Sequence, residues 1–206
     1  WYRHRDREEK SLAMVCLQIA VTRDNEIKTD AMEQVFSSLH SIKKGSLGPF
    51  GWFTFLQSQP HVSFEIVARK EDIRFYIIVP DKLQDLVEKQ IHGSYPGADI
   101  QVVDEPNIFT ENGSVEFAWL VMRNAVYNPI QVYKNLAVDP LSAITSALAK
   151  MGDGEGAHIQ ILIAPADNKW KSKGRSWIGR TKKAEADPEK ASYKVDAKTL
   201  EAVDNK

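Results

Sequence analysis

Cysteine is nearly missing from this sequence. Cys16 is the only one, so an intramolecular disulfide is excluded, and a zinc site would have to be built from histidines and carboxylates. The five histidines, His4, His40, His61, His92 and His158, are scattered with no pair at metal-ligand spacing. Cys16 lies in an apolar run, the setting of a small core residue, whereas a reactive thiol needs an exposed, electropositive one. Long hydrophobic runs are missing too: no stretch approaches the ~18 apolar residues of a membrane span, and nothing reads as a signal peptide. The signatures G-x-x-x-x-G-K-[ST], G-x-S-x-G, H-E-x-x-H and C-x-x-C do not occur. The nearest glycine cluster, Gly45-Ser46-Leu47-Gly48-Pro49-Phe50-Gly51, lacks the lysine and hydroxyl of a phosphate loop and is not placed between a strand and a helix. Glu65, Asp99 and Glu116 fall on strand-like runs whose alternation points them to solvent. His158 at a strand start and His40 on a helix read as structural or surface residues, because a general base needs a positioned partner. The expectation is a chain with no catalytic, cofactor or metal site of its own.

What is present is ordinary for a globular protein. Apolar residues make up 43% and charged residues 27% of 206 residues, enough to bury a core in one domain or two small ones. The chain opens Trp1-Tyr2-Arg3-His4-Arg5-Asp6-Arg7. Aromatics followed by arginines resemble the cytoplasmic edge of a membrane helix; the plain alternative is a charged helical terminus. The end, Leu200 to Lys206, looks like a helix cut partway, and both ends suggest a fragment of a longer protein.

Between them, periodicity changes repeatedly. Met14 to Val21 is a β-branched-rich run of strand length. Asp30 and Glu33 form a helix start signal, followed by the stripe Met32, Val35, Phe36, Leu39 and Ile42, ending near Gly45. Gly45 to Gln59 reads as a loop rich in Gly and aromatics (Phe50, Trp52, Phe53, Phe55), covering the sheet or, if exposed, binding a partner. Val62, Phe64, Ile66 and Ala68 alternate, as do Ile73, Phe75, Ile77 and Val79; the turn Arg69-Lys70-Glu71-Asp72 between them makes a hairpin. Pro80 stops the second strand, and Asp81 with Gln84 is expected to cap a helix carrying Leu83, Leu86, Val87, Ile91 and Tyr95. Tyr95-Pro96-Gly97 ends it, and Ile100 and Val102 mark a strand.

That order, strand-helix-strand-strand-helix-strand, predicts an α+β, ferredoxin-like βαββαβ sandwich. A partial second round follows as an additional β-α-β unit, either extending the first sheet or beginning a second ferredoxin-like half. Its parts are a strand over Val115, Phe117, Trp119 and Val121, a helix opened by Asp139-Pro140 with the stripe Leu141, Ile144, Leu148 and Met151, and a strand over Ile159, Ile161 and Ile163. The division expected is a juxtamembrane segment (1–11), a ferredoxin-like domain (12–105), a β-α-β extension or half-domain (106–167) and a basic linker or arm (168–206), read as mobile.

The arm holds eleven Lys/Arg and six Asp/Glu, a net of +5, while the whole chain is −1. Lys169, Lys171, Lys173, Arg175, Arg180, Lys182 and Lys183 run without an acid, with Trp170 and Trp177 interleaved. Three readings stay open: nucleic acid, with cations on phosphates and indoles stacked on bases; an anionic membrane surface; or a solvated loop whose tryptophans pack on the sheet.

The run Asp30-Ala31-Met32-Glu33-Gln34-Val35-Phe36-Ser37-Ser38-Leu39-His40 is joined, in order, by Ser63-Phe64-Glu65-Ile66-Val67, Ile73 to Pro80, Tyr95-Pro96-Gly97-Ala98-Asp99-Ile100, Asp139-Pro140-Leu141, Gly154-Glu155, Ile159-Gln160-Ile161, Pro165 and Trp170. Over residues 12–170 this set resembles a family of bacterial membrane-anchored proteins from candidate phyla, similar to type IV secretion coupling proteins and HerA/FtsK-type ATPases. There a membrane segment precedes such a domain and a phosphate-loop motor follows. The resemblance implies a non-catalytic accessory or assembly domain at the cytoplasmic face of the membrane. Its partners would be other domains or subunits of an oligomeric ATPase, the membrane through an upstream segment, and DNA. The family's ATP-binding residues lie outside these landmarks, so none is carried over. The rival reading is a stand-alone nucleic-acid-binding module with a basic, Trp-containing arm.

Overall fold

The structure, a computed structural model, describes residues 13–40, 61–70, 72–130, 136–164, 166, 168–185 and 197–204. Trp1 to Arg7, Ile42 and the aromatic loop Gly45 to Gln59 lie outside the described residues. Two compact units form: residues 1–113 with 143–165, and residues 114–142 with 166–206.

The first unit is α+β. Its elements run β1 (Met14–Ala20), α1 (Asp30–His40), β2 (Val62–Arg69), β3 (Asp72–Pro80), a 3₁₀ turn (Asp81–Leu83), α2 (Gln84–Ser94) and β4 (Asp99–Val103); β5 (Gly156–Ile163) comes later in the chain. The strands form one sheet in the order β4-β1-β3-β2-β5, and every pairing is antiparallel. The expected hairpin forms, with Arg69 opposite Asp72. Strand alternation sends Leu17, Val62, Ile77 and Val79 to one face, where they bury Val35 and Leu39 of α1 and Val87 and Ile91 of α2. Leu17, Val35, Val79 and Val87 are fully buried; each such side chain contributes about 1.5–3 kcal/mol by leaving water. Phe36 is half exposed, yet its ring meets the edge of Phe64 at 5.3 Å. The stripes read from i, i+3, i+4 spacing dock through Val35 and Leu39 and through Val87 and Ile91, while Leu86 is exposed.

The second unit contains α4 (Lys169–Glu185) and α5 (Ala197–Asp204). Helix α3 (Pro140–Leu148) spans the boundary in sequence between the units. It starts as its sequence predicts: Pro140 takes the first helical position, and the Leu141 amide donates to Asp139 Oδ1 at 2.9 Å.

Three expectations are corrected. Asp81 lies inside the 3₁₀ turn, and neither that turn nor α2 has a side-chain cap hydrogen bond; the Asp81 amide instead donates to the Ala13 carbonyl at 3.0 Å. Val115 to Val121 pairs with no strand among the described residues, and its side chains are exposed. The second round therefore supplies β5, which joins the first sheet beside β2. Residues 169–185, read from the sequence as part of a mobile linker or arm, are helical. The periodicity was hidden because Gly174 and Thr181 occupy buried positions beside Ile178, and neither counts as apolar in a pattern search.

Candidate functional site

Glu65 overturns the solvent-facing assignment. On the sheet face opposite α1 and α2, strand alternation and register align Gln101, Gln18, Tyr76, Glu65 and Gln160 in one row across all five strands. Cys16, Val67, Tyr76 and Ile78 form an apolar cluster on this face, with Met14, Val103 and Ile108 packed against it. The second face is thus partly covered, and the Glu65 side chain is fully buried.

Three donors surround that carboxylate. Ser63 Oγ donates to Oε1 at 2.7 Å, Gln160 Nε2 donates to Oε1 at 2.6 Å, and His158 Nε2 lies 2.7 Å from Oε2. An ionised carboxylate has no hydrogen to give, so His158 must then carry its proton on Nε2. Ser63 bonds to the carboxylate rather than to the imidazole. This differs from the serine-histidine-acid relay, in which the hydroxyl passes its proton to histidine. The arrangement fastens β5 to β2 by side chains as well as by the ladder. Lys70 and Asp153 pair at 2.5 Å at one end of the same two strands. Nearby Cys16 is 4% exposed. Burial, then the charges of Glu65 and Glu105, push its thiol up to about 11, which keeps it protonated and unreactive at neutral pH. Among the described residues no three His, Cys, Asp or Glu side chains cluster as metal ligands would.

The nine residues singled out as an anionic-polymer site, Lys169, Trp170, Lys171, Lys173, Arg175, Trp177, Arg180, Lys182 and Lys183, all fall on α4. The helix turns its two residue classes apart. Every lysine and arginine of the set is exposed, while Trp170 and Trp177 are half-buried and Gly174, Ile178 and Thr181 are buried. Trp177 lies against Tyr127 with ring centroids 5.7 Å apart. A Cβ at Gly174 would come within 3.3 Å of Tyr127 Cβ and 3.5 Å of Val203 Cγ1, so α4 sits close to its neighbours because this position lacks a side chain. Thr181 Oγ1 is satisfied by the Trp177 carbonyl at 3.0 Å. Trp177 therefore helps to hold the helix against Tyr127.

A third surface is apolar. Phe117 and Trp119 are each 80% exposed and Leu120 is 99% exposed. The two rings meet edge to face at 6.4 Å.

Compared with known families, residues 6–199 match a domain of unknown function, DUF8128. The chain belongs to that family. No curated protein and no solved structure matches it. In this DUF8128 chain the basic set was legible because it is contiguous. The Glu65 cluster was not: Ser63 and Glu65 are two apart on β2, His158 and Gln160 two apart on β5, and each pair shares a face. That signal acquires meaning only once β5 is known to lie beside β2.

Proposed function

We propose that this chain is a non-catalytic accessory and assembly domain of a membrane-tethered, conjugation-like or DNA-translocating ATPase, working at the cytoplasmic face of the membrane. The observation that carries the assembly role is the apolar segment from Val115 to Met122, exposed at every large side chain. Phe117, Trp119 and Leu120 together show water on the order of 500 Å² of apolar surface, an amount that is often functional. The ATPase setting rests on the ordered landmarks from Asp30 to Trp170. The finer reading of the first unit, a ferredoxin-like sandwich, is supported by the strand order β4-β1-β3-β2 with α1 and α2 against one face; β5 is then an added edge strand. Glu65 acts as a structural clamp in this account, since its oxygens are engaged by Ser63, Gln160 and His158. Among the described residues no helix is long and apolar enough to cross a membrane.

The complete reading frame tests the setting. An apolar span upstream and a phosphate-loop motor downstream are expected. A frame that encodes this domain alone would remove the ATPase from the account.

A further inference from the structure

We propose that the exposed face of α4 is a binding surface for duplex DNA, seated in the major groove with one row of basic side chains along each backbone. At 3.6 residues per turn, Lys169, Lys173 and Arg180 run along one edge of the exposed face, and Lys171, Arg175 and Lys182 along the other. Between the rows lie Ser172, Ser176, Gly179 and Lys183. All ten are exposed. Each row covers 11 helical steps, roughly 17 Å at 1.5 Å per residue. The helix with its side chains is about 10–12 Å across, matching a B-DNA major groove about 12 Å wide. The small residues Ser172, Ser176 and Gly179 allow close approach to the base edges, with Lys183 near the end of that central strip, while the flanking cations reach phosphates on both strands. The Arg180 Nε donates to the Ser176 carbonyl at 3.2 Å, which holds that side chain along its row.

The orientation of the tryptophans chooses among anionic partners. A single strand is gripped by aromatic faces on which bases stack, but Trp177 is engaged with Tyr127, and Lys171 Nζ lies 5.4 Å from the Trp170 ring centroid. A lipid surface is bound by an amphipathic helix that buries its apolar face in the membrane, but that face of α4 carries the buried Ile178 and the half-buried tryptophans. The outward face is polar throughout. Duplex RNA is excluded by shape, because its major groove is too deep and narrow for a helix. The charge pattern also works against the helix itself. The first turn holds Lys169 and Lys171 and no acid, where the helix dipole disfavours cations. The inference needs α4 alone and stands or falls separately from the ATPase setting.

The test is fluorescence anisotropy of the full 206-residue chain with a fluorescein-labelled DNA duplex of about two turns, the matching single strand, and phosphatidylserine-containing vesicles. The duplex is expected to bind most tightly. With about four to six phosphates neutralised, log K should fall with log salt at a slope of roughly −3.5 to −5.5. Replacing Lys171, Arg175 and Lys182 by Gln should flatten that slope by about 3. Ser176→Phe, which changes no charge and lies on the exposed face, should weaken duplex binding about tenfold or more while the circular dichroism stays unchanged. No duplex binding at low salt overturns the proposal, as does tighter binding to the single strand or the vesicles. Unaltered duplex affinity in Ser176→Phe overturns the groove placement.

Discussion

At the scale of single residues, the sharpest consequences belong to Glu65 and Cys16. Glu65→Ala removes the acceptor of Ser63 Oγ and Gln160 Nε2 in a buried place and the partner of His158. The expected loss is about 2–4 kcal/mol of unfolding free energy. His158→Ala, at a side chain 28% exposed, should cost about 1 kcal/mol. Urea unfolding of both variants checks the order, and equal costs would contradict the clamp. Cys16 gives a pH dependence. Its thiol is raised from 9.0 to about 11, so between those values the unfolded chain loses the proton first and stability falls as pH rises. The drop approaches about 2–3 kcal/mol at most. Unfolding measured from pH 9 to 11 should show it in the natural chain and not in Cys16→Ala. The core placement of Cys16 was legible from its apolar neighbours. The burial of Glu65 was not, because alternation says which residues share a face but not what later covers that face. Here Ile108 packs on it and β5 borders it, and both are remote in sequence.

At the scale of elements, local chemistry specified the first unit well. The stripe Val35 and Leu39, the hairpin turn at Arg69 to Asp72, and the Asp139-Pro140 start are all found where periodicity and turn residues put them. Two elements went astray for opposite reasons. Val115 to Val121 alternates like a strand but finds no partner strand among the described residues, because a pattern supplies a face and not a neighbour. Helix α4 is hidden in the sequence because Gly174 and Thr181 stand where aliphatic side chains would mark the buried face. That choice is testable. Gly174→Ala gains helix propensity of up to about 1 kcal/mol, but its methyl meets Tyr127 Cβ at 3.3 Å, so near-neutral stability is expected. Gly174→Leu should overpack the contact with Tyr127 and Val203 and cost about 1–3 kcal/mol, read as a lower midpoint in thermal unfolding. A stable Gly174→Leu variant would show that α4 does not pack as described.

At the scale of the whole molecule, the account places function on surfaces. The sheet and its two helices bury a core around Leu17, Val35, Val79 and Val87, the buried carboxylate holds β5, and a basic helix face and an apolar segment are exposed. Net charge alone, −1 over the chain, conceals the contrast, since the positive charge is concentrated in the last 39 residues. In the proposed function the apolar segment joins this domain to its assembly. The most direct measurement is light scattering on the complete protein with Phe117, Trp119 and Leu120 replaced by Ser, alongside thermal unfolding. These side chains are almost entirely exposed, so the variant is expected to keep its unfolding midpoint and to lose the mass of the assembly. An unchanged mass with the midpoint intact would contradict the account.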